Sequence, residues 1–463
     1  MMNDQPNQTI LRRFSDPAAV VLGALCLVAL LGAWNYARSL PGIDYYVAWA
    51  AVDATRKNTE HDIYTREGRF RLGREYRREA LVGDPESRQA AAAEHVSYLH
   101  TSATPFLYTV IGLFSTGDYD RDLGLWHGLS LAAFTLALLL ISRMFGFSAA
   151  ASLALLLPCL VWLTALHSDL RVGNVNSFQF GLLALLFWLQ SRDADTRFSP
   201  LAGRLASASA GAVVALMVLF KPNLAPVALI LLGAWLVRRQ FLKLLIGATG
   251  MAVGALAALT WSSLFFGDPG VWLDWFRSLA TLMEMDVGAG IGNFNFANAI
   301  GLRLDRGGQI GLALFLCALA LLALWWGRRK RAPTHAAPGV DGVDGERELI
   351  EYGQLLALAC LIQLLVSPLV WLHYFVLTVP GLIVAFRPWS GALPRGFGSV
   401  LLHRVLPALA LLLLLQGPLA ETLAADPALA ANRASVIAVV ILFGLGLWQL
   451  CFQDGRLPAA KAV

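Results

Sequence analysis

The chain is dominated by long apolar runs that are separated by short charged links. Of its 463 residues, 57% are hydrophobic and only 14% are charged, and the mean hydropathy is +0.60. A soluble protein carries roughly 25% charged residues. The first run, residues 17–37, has no charged side chain and is long enough to cross a bilayer as a helix. The sequence therefore predicts an all-α polytopic membrane protein that forms a single integral-membrane domain over residues 1–463.

These runs predict about twelve transmembrane helices. They cover residues 17–37, 123–142, 148–166, 175–190, 204–220, 224–237, 244–266, 309–327, 349–366, 372–386, 400–416 and 434–452. Two long polar loops lie between them, at residues 38–102 and 267–308. The first loop alternates arginines with glutamates, a pattern typical of amphipathic helices on a membrane surface. Residues 105–115 are apolar but too short to span, which indicates a re-entrant or interfacial segment.

The orientation is predicted from the positive charges of the short loops. Cytoplasmic loops of membrane proteins are enriched in Lys and Arg. If the N-terminus is cytoplasmic and residues 105–115 do not cross, the strongly basic loops all lie on the cytoplasmic side; they carry Arg143, Arg192, Arg238, Arg328 and Arg387. The short loops on the opposite side carry at most one cation each. Both termini are therefore predicted to be cytoplasmic, and both long polar loops to lie outside.

Polar side chains suited to binding or catalysis collect on this predicted outer side. They are Asp44, Arg171, Asn174, Asn176, Lys221, Asn298 and His373. Two cations that converge on one pocket suit a phosphate, because Arg offers a bidentate fork and Lys a point charge. Ionisable residues at membrane depth also tend to mark functional sites. Each has an ordinary interpretation as well: a solvated loop carboxylate, interfacial cations, amides that link helices, and a hydrogen-bonded core histidine.

Several other classes of site lack their sequence signatures. The chain contains neither a phosphate-binding loop nor a dinucleotide fingerprint, and no nucleophile elbow. The five cysteines are scattered through apolar runs without the paired spacing of a disulfide framework or a metal site. We therefore expect no cofactor, no metal site and no nucleic-acid partner, with a weakly bound Mg²⁺ as the open alternative. A phosphate site outside the membrane without a nucleotide motif favours a lipid-linked phosphate substrate.

Several short motifs occur in order along the chain: Asp44-Tyr45-Tyr46-Val47-Ala48-Trp49-Ala50-Ala51 with Asp62-Ile63-Tyr64, then Thr104-Pro105-Phe106, Gly173-Asn174-Val175-Asn176, Lys221-Pro222 and Ser367-Pro368-Leu369-Val370-Trp371-Leu372-His373-Tyr374. They resemble the motifs of glycosyltransferase family 87, the polyprenol-phosphate-mannose-dependent mannosyltransferases of the GT-C superfamily. The likeness extends in order over about residues 15–390. The family often has Gly-Gln-x-Asn where this chain has Gly173-Asn174-Val175-Asn176.

This resemblance implies a GT-C fold and an inverting transfer of a hexose, mannose in particular, from a polyprenyl-phosphate donor. The acceptor would be a hydroxyl of a membrane-associated glycolipid or glycan, and the active site would face the periplasm from a bacterial inner membrane. Asp44 matches the family's catalytic acidic residue, and His373 matches its functionally important histidine. We expect donor-phosphate contacts from His373, Lys221 and Arg171, and substrate contacts from Tyr45, Asn174, Asn176, Asn298, Trp371 and Tyr374.

The physical chemistry of these residue types agrees with that expectation. An acceptor hydroxyl needs a nearby carboxylate as general base, and a leaving phosphate needs cations or hydrogen-bond donors. The main alternative is a transporter or flippase for a lipid-linked or small anionic substrate, which would also suit twelve spans. Such carriers usually show internal repeats and ionisable residues at the bilayer midplane. A structural or assembly protein is a third option, but it would not need polar residues collected on one side.

Overall fold

The computed structural model describes residues 16–57, 62–96, 98–194, 199–282, 296–300, 302, 304–330, 341–387, 400–415 and 427–452. Within these ranges the regular structure is helical, and no strand occurs. Helices satisfy their own backbone polar groups, which is what a chain buried in lipid requires. The prediction of an all-α polytopic membrane protein is confirmed.

The α-helices are numbered in chain order. Those before the second long loop are α1 (Pro17–Arg38), α2 (Ile43–Arg56), α3 (Arg66–Val82), α4 (Arg88–Glu94), α5 (Pro105–Phe114), α6 (Tyr119–Met144), α7 (Ala149–Trp162), α8 (Thr164–Val172), α9 (Asn176–Ala194), α10 (Pro200–Phe220), α11 (Ala225–Val237) and α12 (Phe241–Phe266). Those that follow are α13 (Val271–Leu282), α14 (Phe296–Ala299), α15 (Arg306–Lys330), α16 (Asp341–Val366), α17 (Val379–Ala385), α18 (Leu406–Leu414) and α19 (Pro427–Phe452).

Seven helices of the described chain are long and apolar enough to cross a membrane: α1, α6, α10, α12, α15, α16 and α19. The pair α7 and α8 passes the same test as one span that bends by 57°. Every other predicted span falls on a helical stretch that is shorter or more polar: α9, or residues 222–237, 372–385 and 401–414. All the predicted apolar helices are therefore present, while a total of twelve crossings stays a prediction.

The loop predicted at residues 38–102 forms a packed helical layer. It contains α2, α3 and α4, which share a hydrophobic core with the start of α6. Tyr46 and Trp49 of α2 pack on Tyr119 with ring centroids 5.6 and 5.3 Å apart. The buried guanidinium of Arg69 donates to Thr101 Oγ1 at 2.9 Å, which ties α3 to the end of the layer. The predicted helices of this loop are thus confirmed.

Pro41 and Gly42 separate this layer from the first span. Ser39 ends α1, and Gly42 is the N-cap of α2 with a φ of 69°. Glycine adopts that left-handed conformation without steric cost. The helix resumes at Ile43, so Asp44 lies in the first turn of α2 and not in a loop. Pro-Gly is a strong turn signal, and the break that it makes here covers only residues 39–42.

A second break follows α16. That helix ends at Val366, residues 367–371 are not helical, and a 3₁₀ turn then covers Leu372–Thr378. The Ser367-Pro368 pair accounts for this break, because a proline disfavours a helical conformation in the residue before it. This turn packs against α8, so it brings His373 toward the chain that follows Asp169 and Arg171.

Helices α10 and α12 approach each other through glycines. A Cβ at Gly250 would lie 2.0 Å from the Ala208 carbonyl oxygen, and one at Gly211 would lie 2.0 Å from the Gly247 carbonyl oxygen. Small residues permit this backbone approach between membrane helices. Helix α10 ends directly before Lys221. The contact between α10 and α12 therefore also helps to fix the position of Lys221.

We expect Gly250→Ala to lower the thermal stability of the detergent-purified protein. The added methyl group overlaps the α10 backbone, and overpacking of this kind costs about 1–3 kcal/mol. The matched control is Gly32→Ala on α1, where a Cβ would meet no atom within 4 Å. It should leave the unfolding midpoint unchanged or slightly raised, because alanine favours a helix. Equal losses in the two variants would contradict the close contact.

An ion network joins α16 to the basic residues at the end of α11, the start of α12 and the end of α15. Arg238 lies 2.8 Å from Glu351, which Arg328 also approaches at 3.1 Å. Lys243 meets Glu348 at 2.9 Å. Two of the basic residues on which the predicted cytoplasmic orientation rests, Arg238 and Arg328, are thus paired with carboxylates of α16.

Candidate active site

Two glycine turns form the backbone frame of the candidate site. Gly42 precedes α2 and Gly173 follows α8, with φ angles of 69° and 68°. A Cβ at Gly173 would lie 2.6 Å from the Cβ of Tyr45, so the two turns are in contact. Helix α6 holds both turns, because Tyr119 Oη donates to Gly42 O and Trp126 Nε1 donates to Gly173 O, each at 3.0 Å. Asp44 and Asn174 therefore start from fixed neighbouring backbones.

A chain of polar side chains joins four segments that are far apart in sequence. Asn174 Nδ2 donates to Asp44 Oδ2 at 2.6 Å, and Lys221 Nζ donates to Asn174 Oδ1 at 3.0 Å. His373 Nε2 lies 3.9 Å from Asp44 Oδ2. Lys221 Nζ also lies 4.0 Å from the ring centre of Tyr374, a cation–π distance. Asn174 thus bridges the carboxylate and the ammonium group.

Asp44 has an exposed side chain, and the solvent-accessible space beside it is the opening of the site. Its side chain is 44% exposed, yet protein atoms surround it closely enough to displace much of its hydration. This desolvation raises the pKa of Asp44 above the ordinary carboxylate value, against the opposing effects of the Asn174 hydrogen bond and the charges of Lys221 and Arg171. A raised pKa makes the carboxylate a stronger base while it remains reachable from the opening.

Lys221 lies in the break between α10 and the 3₁₀ turn Pro222–Leu224. Its burial lowers the pKa of Lys221 to about 8, although the carboxylates of Asp169 and Asp44 oppose the decrease. The ammonium group is therefore charged at neutral pH and can hold an anion in a dry environment. Its contact with Asn174 fixes the position of that charge relative to Asp44.

A buried carboxylate supports the asparagine bridge from behind. Asp169 accepts from Asn176 Nδ2 at 2.9 Å and from the backbone N–H and hydroxyl of Ser177 at 3.1 and 2.7 Å. Asn176 Nδ2 also lies 3.2 Å from Asn174 Oδ1. These hydrogen bonds satisfy the carboxylate of Asp169 and order the first turn of α9. Asp169 therefore supports the position of Asn174.

A model of glycosyltransferase family 87 matches residues 104–340, just over half of the chain. The chain belongs to that family. No curated protein and no solved structure matches it. Membership sets aside the transporter and structural alternatives. The matched range contains Arg171, Asn174 and Lys221, whereas Asp44 and His373 lie outside it. Their place in this glycosyltransferase rests on the contacts described above.

The remaining predicted site residues of the glycosyltransferase lie at different depths. Arg171 is exposed at the end of α8, close enough for its charge to act on Asp44. Tyr45 is 1% exposed, in an aromatic cluster with Trp126 rather than at the opening. Trp371 packs against the main hydrophobic core. The backbone of Asn298 belongs to α14, and its side chain lies outside the described part of the chain.

Other carboxylates near the layer have structural partners. Asp53 accepts from Tyr76 Oη at 2.8 Å and lies 2.7 Å from Lys57 Nζ. Asp122, which sequence reasoning did not single out, accepts from Trp49 Nε1 at 3.2 Å and from Ser115, Thr116 and Gly117. The side chain of Asp62 and the whole of Asp286 lie outside the described residues. Asp53, Asp122 and Asp169 are buried, whereas Asp44 is exposed at the opening, and its Oδ1 accepts no hydrogen bond from a described residue.

Metal binding has no candidate centre in the described ranges. They contain no group of three or more His, Cys, Asp or Glu side chains placed to hold an ion. The expectation that this transferase works without a metal stays a prediction. The groups available for chemistry at the site are the Asp44 carboxylate, the His373 imidazole, the cations Lys221 and Arg171, and the Asn174 amide that joins Asp44 to Lys221.

Proposed function

We propose that the protein transfers a hexose, mannose in particular, from a polyprenyl-phosphate donor to a hydroxyl of a membrane-associated glycolipid or glycan. The observation that carries this proposal is the bridge from Asp44 through Asn174 to Lys221. It holds a carboxylate suited to a general base and a cation suited to a phosphate one amide apart, so both can act on one substrate. The choice of mannose rests on the family resemblance.

The reaction is a direct displacement. The oxygen of the acceptor hydroxyl attacks the anomeric carbon of the sugar, and Asp44 Oδ1 takes the proton of that hydroxyl. The bond from that carbon to the phosphate oxygen breaks on the opposite face, and the departing polyprenyl phosphate carries the electron pair. Lys221 stabilises the negative charge, with Arg171 and His373 as further donors to the phosphate. One displacement inverts the anomeric centre, so a β-linked donor gives an α-linked product.

A lipid-linked donor suits the surroundings of this bridge. Lys221 lies directly between two apolar helical segments, α10 and residues 222–237, so a phosphate can meet it while a polyprenyl tail stays in lipid. The sequence offers no loop for the diphosphate of a nucleotide sugar. The cations and hydrogen-bond donors of the site can neutralise the charge of one phosphate without a metal. We therefore expect the protein to remain active in the presence of a chelator.

The direct test is a transfer assay with purified protein. Labelled mannose on a polyprenyl phosphate should pass to a membrane glycolipid extract, and a nucleotide-linked mannose should not replace it. Product linkage analysis should find inversion at the anomeric carbon. Transfer from the nucleotide sugar alone, or retention of configuration, would overturn the proposed donor or mechanism.

The proposed active site faces the periplasm of a bacterial inner membrane. Single cysteines at positions 44, 221 and 367 should then react with a membrane-impermeant thiol reagent added from outside intact cells. A cysteine at position 329, at the last turn of α15, should react only after the membrane is opened. The five native cysteines are first replaced by serine or alanine. Labelling of position 329 from outside would reverse the proposed orientation.

A further inference from the structure

A cavity of about 500 Å³ lies between α1, α6 and the start of α4. Its lining combines apolar side chains with arginines: Trp34, Leu125 and Leu129, and Arg38, Arg88 and Arg121. Arg38 is the last residue of α1, and Arg121 belongs to the first turn of α6. The cavity is therefore at the same end of these spans as Asp44.

The body of α6 separates this cavity from the candidate active site. Tyr119 and Trp126 of α6 hold the turns at Gly42 and Gly173. Gly124, between them in sequence, lines the cavity instead, and a Cβ there would meet no atom within 4 Å. With 3.6 residues per turn, these positions fall on different faces of the helix. An occupant of the cavity would be a molecule distinct from the reacting donor and acceptor.

The charges of the cavity favour an anion. Asp120 is its one lining carboxylate, and it is engaged by Arg88, whose Nε lies 2.6 Å from Oδ1. Arg88 Nη1 is buried and makes no hydrogen bond within the described part of the chain. A buried guanidinium donor without a partner is costly, so a ligand oxygen here would relieve that cost. Arg38 and Arg121 add two positive charges at the exposed rim.

The arrangement along the helices matches a phospholipid. Trp34 lies one turn deeper than Arg38 on α1, and Leu125 and Leu129 lie one and two turns deeper than Arg121 on α6. We propose that this cavity binds an anionic bilayer phospholipid, with its phosphate at the arginine rim and an acyl chain along the apolar wall. Three cations around one paired carboxylate supply the complementary charge. Gly124 leaves room for the chain, because a Cβ there would meet no atom within 4 Å.

Native mass spectrometry of the full-length protein in detergent tests this site. Phosphatidylglycerol is titrated against phosphatidylcholine, which has a phosphate but no net charge. The wild type should retain phosphatidylglycerol about tenfold or more in preference, and the double variant Arg38→Gln, Arg121→Gln should lose that preference. The matched control is Arg277→Gln, an exposed arginine on α13 whose charge lies outside the cavity. Equal retention in the double variant and the control would overturn the proposal.

A second variant tests the apolar half of the cavity. Gly124→Leu projects a side chain into open space, so the protein should fold normally and bind phosphatidylglycerol at least tenfold more weakly. Unchanged binding in a folded Gly124→Leu protein would contradict a seated acyl chain. Displacement of the lipid by millimolar inorganic phosphate would identify a free-phosphate site instead, and competition by polyprenyl phosphate would assign the cavity to the donor. Either result rejects the phospholipid proposal and leaves the transfer assay to judge the proposed function separately.

Discussion

Asp44→Asn is expected to leave donor binding intact and to lower the transfer rate by about a hundredfold or more. The amide keeps the shape of the carboxylate, and its oxygen can still accept from Asn174 Nδ2, so the bridge to Lys221 should survive. The amide cannot take a proton from the acceptor hydroxyl. Single-turnover transfer from a labelled polyprenyl-phosphate sugar measures the chemical step, and equilibrium retention of the same donor measures binding.

The matched control for this variant is Asp53→Asn, nine residues farther along the same helix. Asp53 is held by Tyr76 and Lys57 and has no contact with the asparagine bridge. Its loss should cost some stability and little of the transfer rate. A folded Asp44→Asn protein that binds donor and transfers at the wild-type rate would show that another group is the base.

The helical architecture could be predicted because the physical signal is local. Long apolar runs define spans wherever they occur, and breaks follow from Pro41-Gly42 and Ser367-Pro368 in the same way. The exact start of α2 could not be predicted. It depends on Gly42 adopting a left-handed conformation, held by Tyr119 from another helix.

The candidate residues could be named from the sequence, but their pairing could not. Asn174 and Asp44 are 130 residues apart, and nothing local to either predicts a hydrogen bond between them. Asp169 lies two residues before Arg171 in the sequence, yet its carboxylate accepts hydrogen bonds from Asn176 and Ser177 of the next helix. Tyr45 adjoins Asp44, but on a helix adjacent side chains point in different directions, and its predicted contact with the substrates stays a prediction. The structure places it against Trp126 in the core.

The same long-range contacts determine how the site should respond to pH. Asp44 acts as base only when it is deprotonated, and desolvation has raised its pKa, so activity should fall on acidification sooner than for an ordinary carboxylate. Lys221 holds the phosphate only when it is protonated, and its pKa lies at about 8. The profile of kcat/KM, which reports the free enzyme, should therefore be bell-shaped with an alkaline limb near pH 8.

Two substitutions of Lys221 separate the effect of its charge on kcat/KM from the effect of its deprotonation on the pH profile. Lys221→Ala should reduce kcat/KM for the donor by about ten- to a hundredfold at neutral pH, because a charge-assisted contact to the phosphate is lost. Lys221→Arg keeps a positive charge at all relevant pH values, so it should retain more activity and move the alkaline limb well above pH 8. The acidic limb, set by Asp44, should stay where it is in the arginine variant. An alkaline limb that remains near pH 8 in Lys221→Arg would mean that a different group titrates there, and Lys221 would then be removed from the donor-phosphate site.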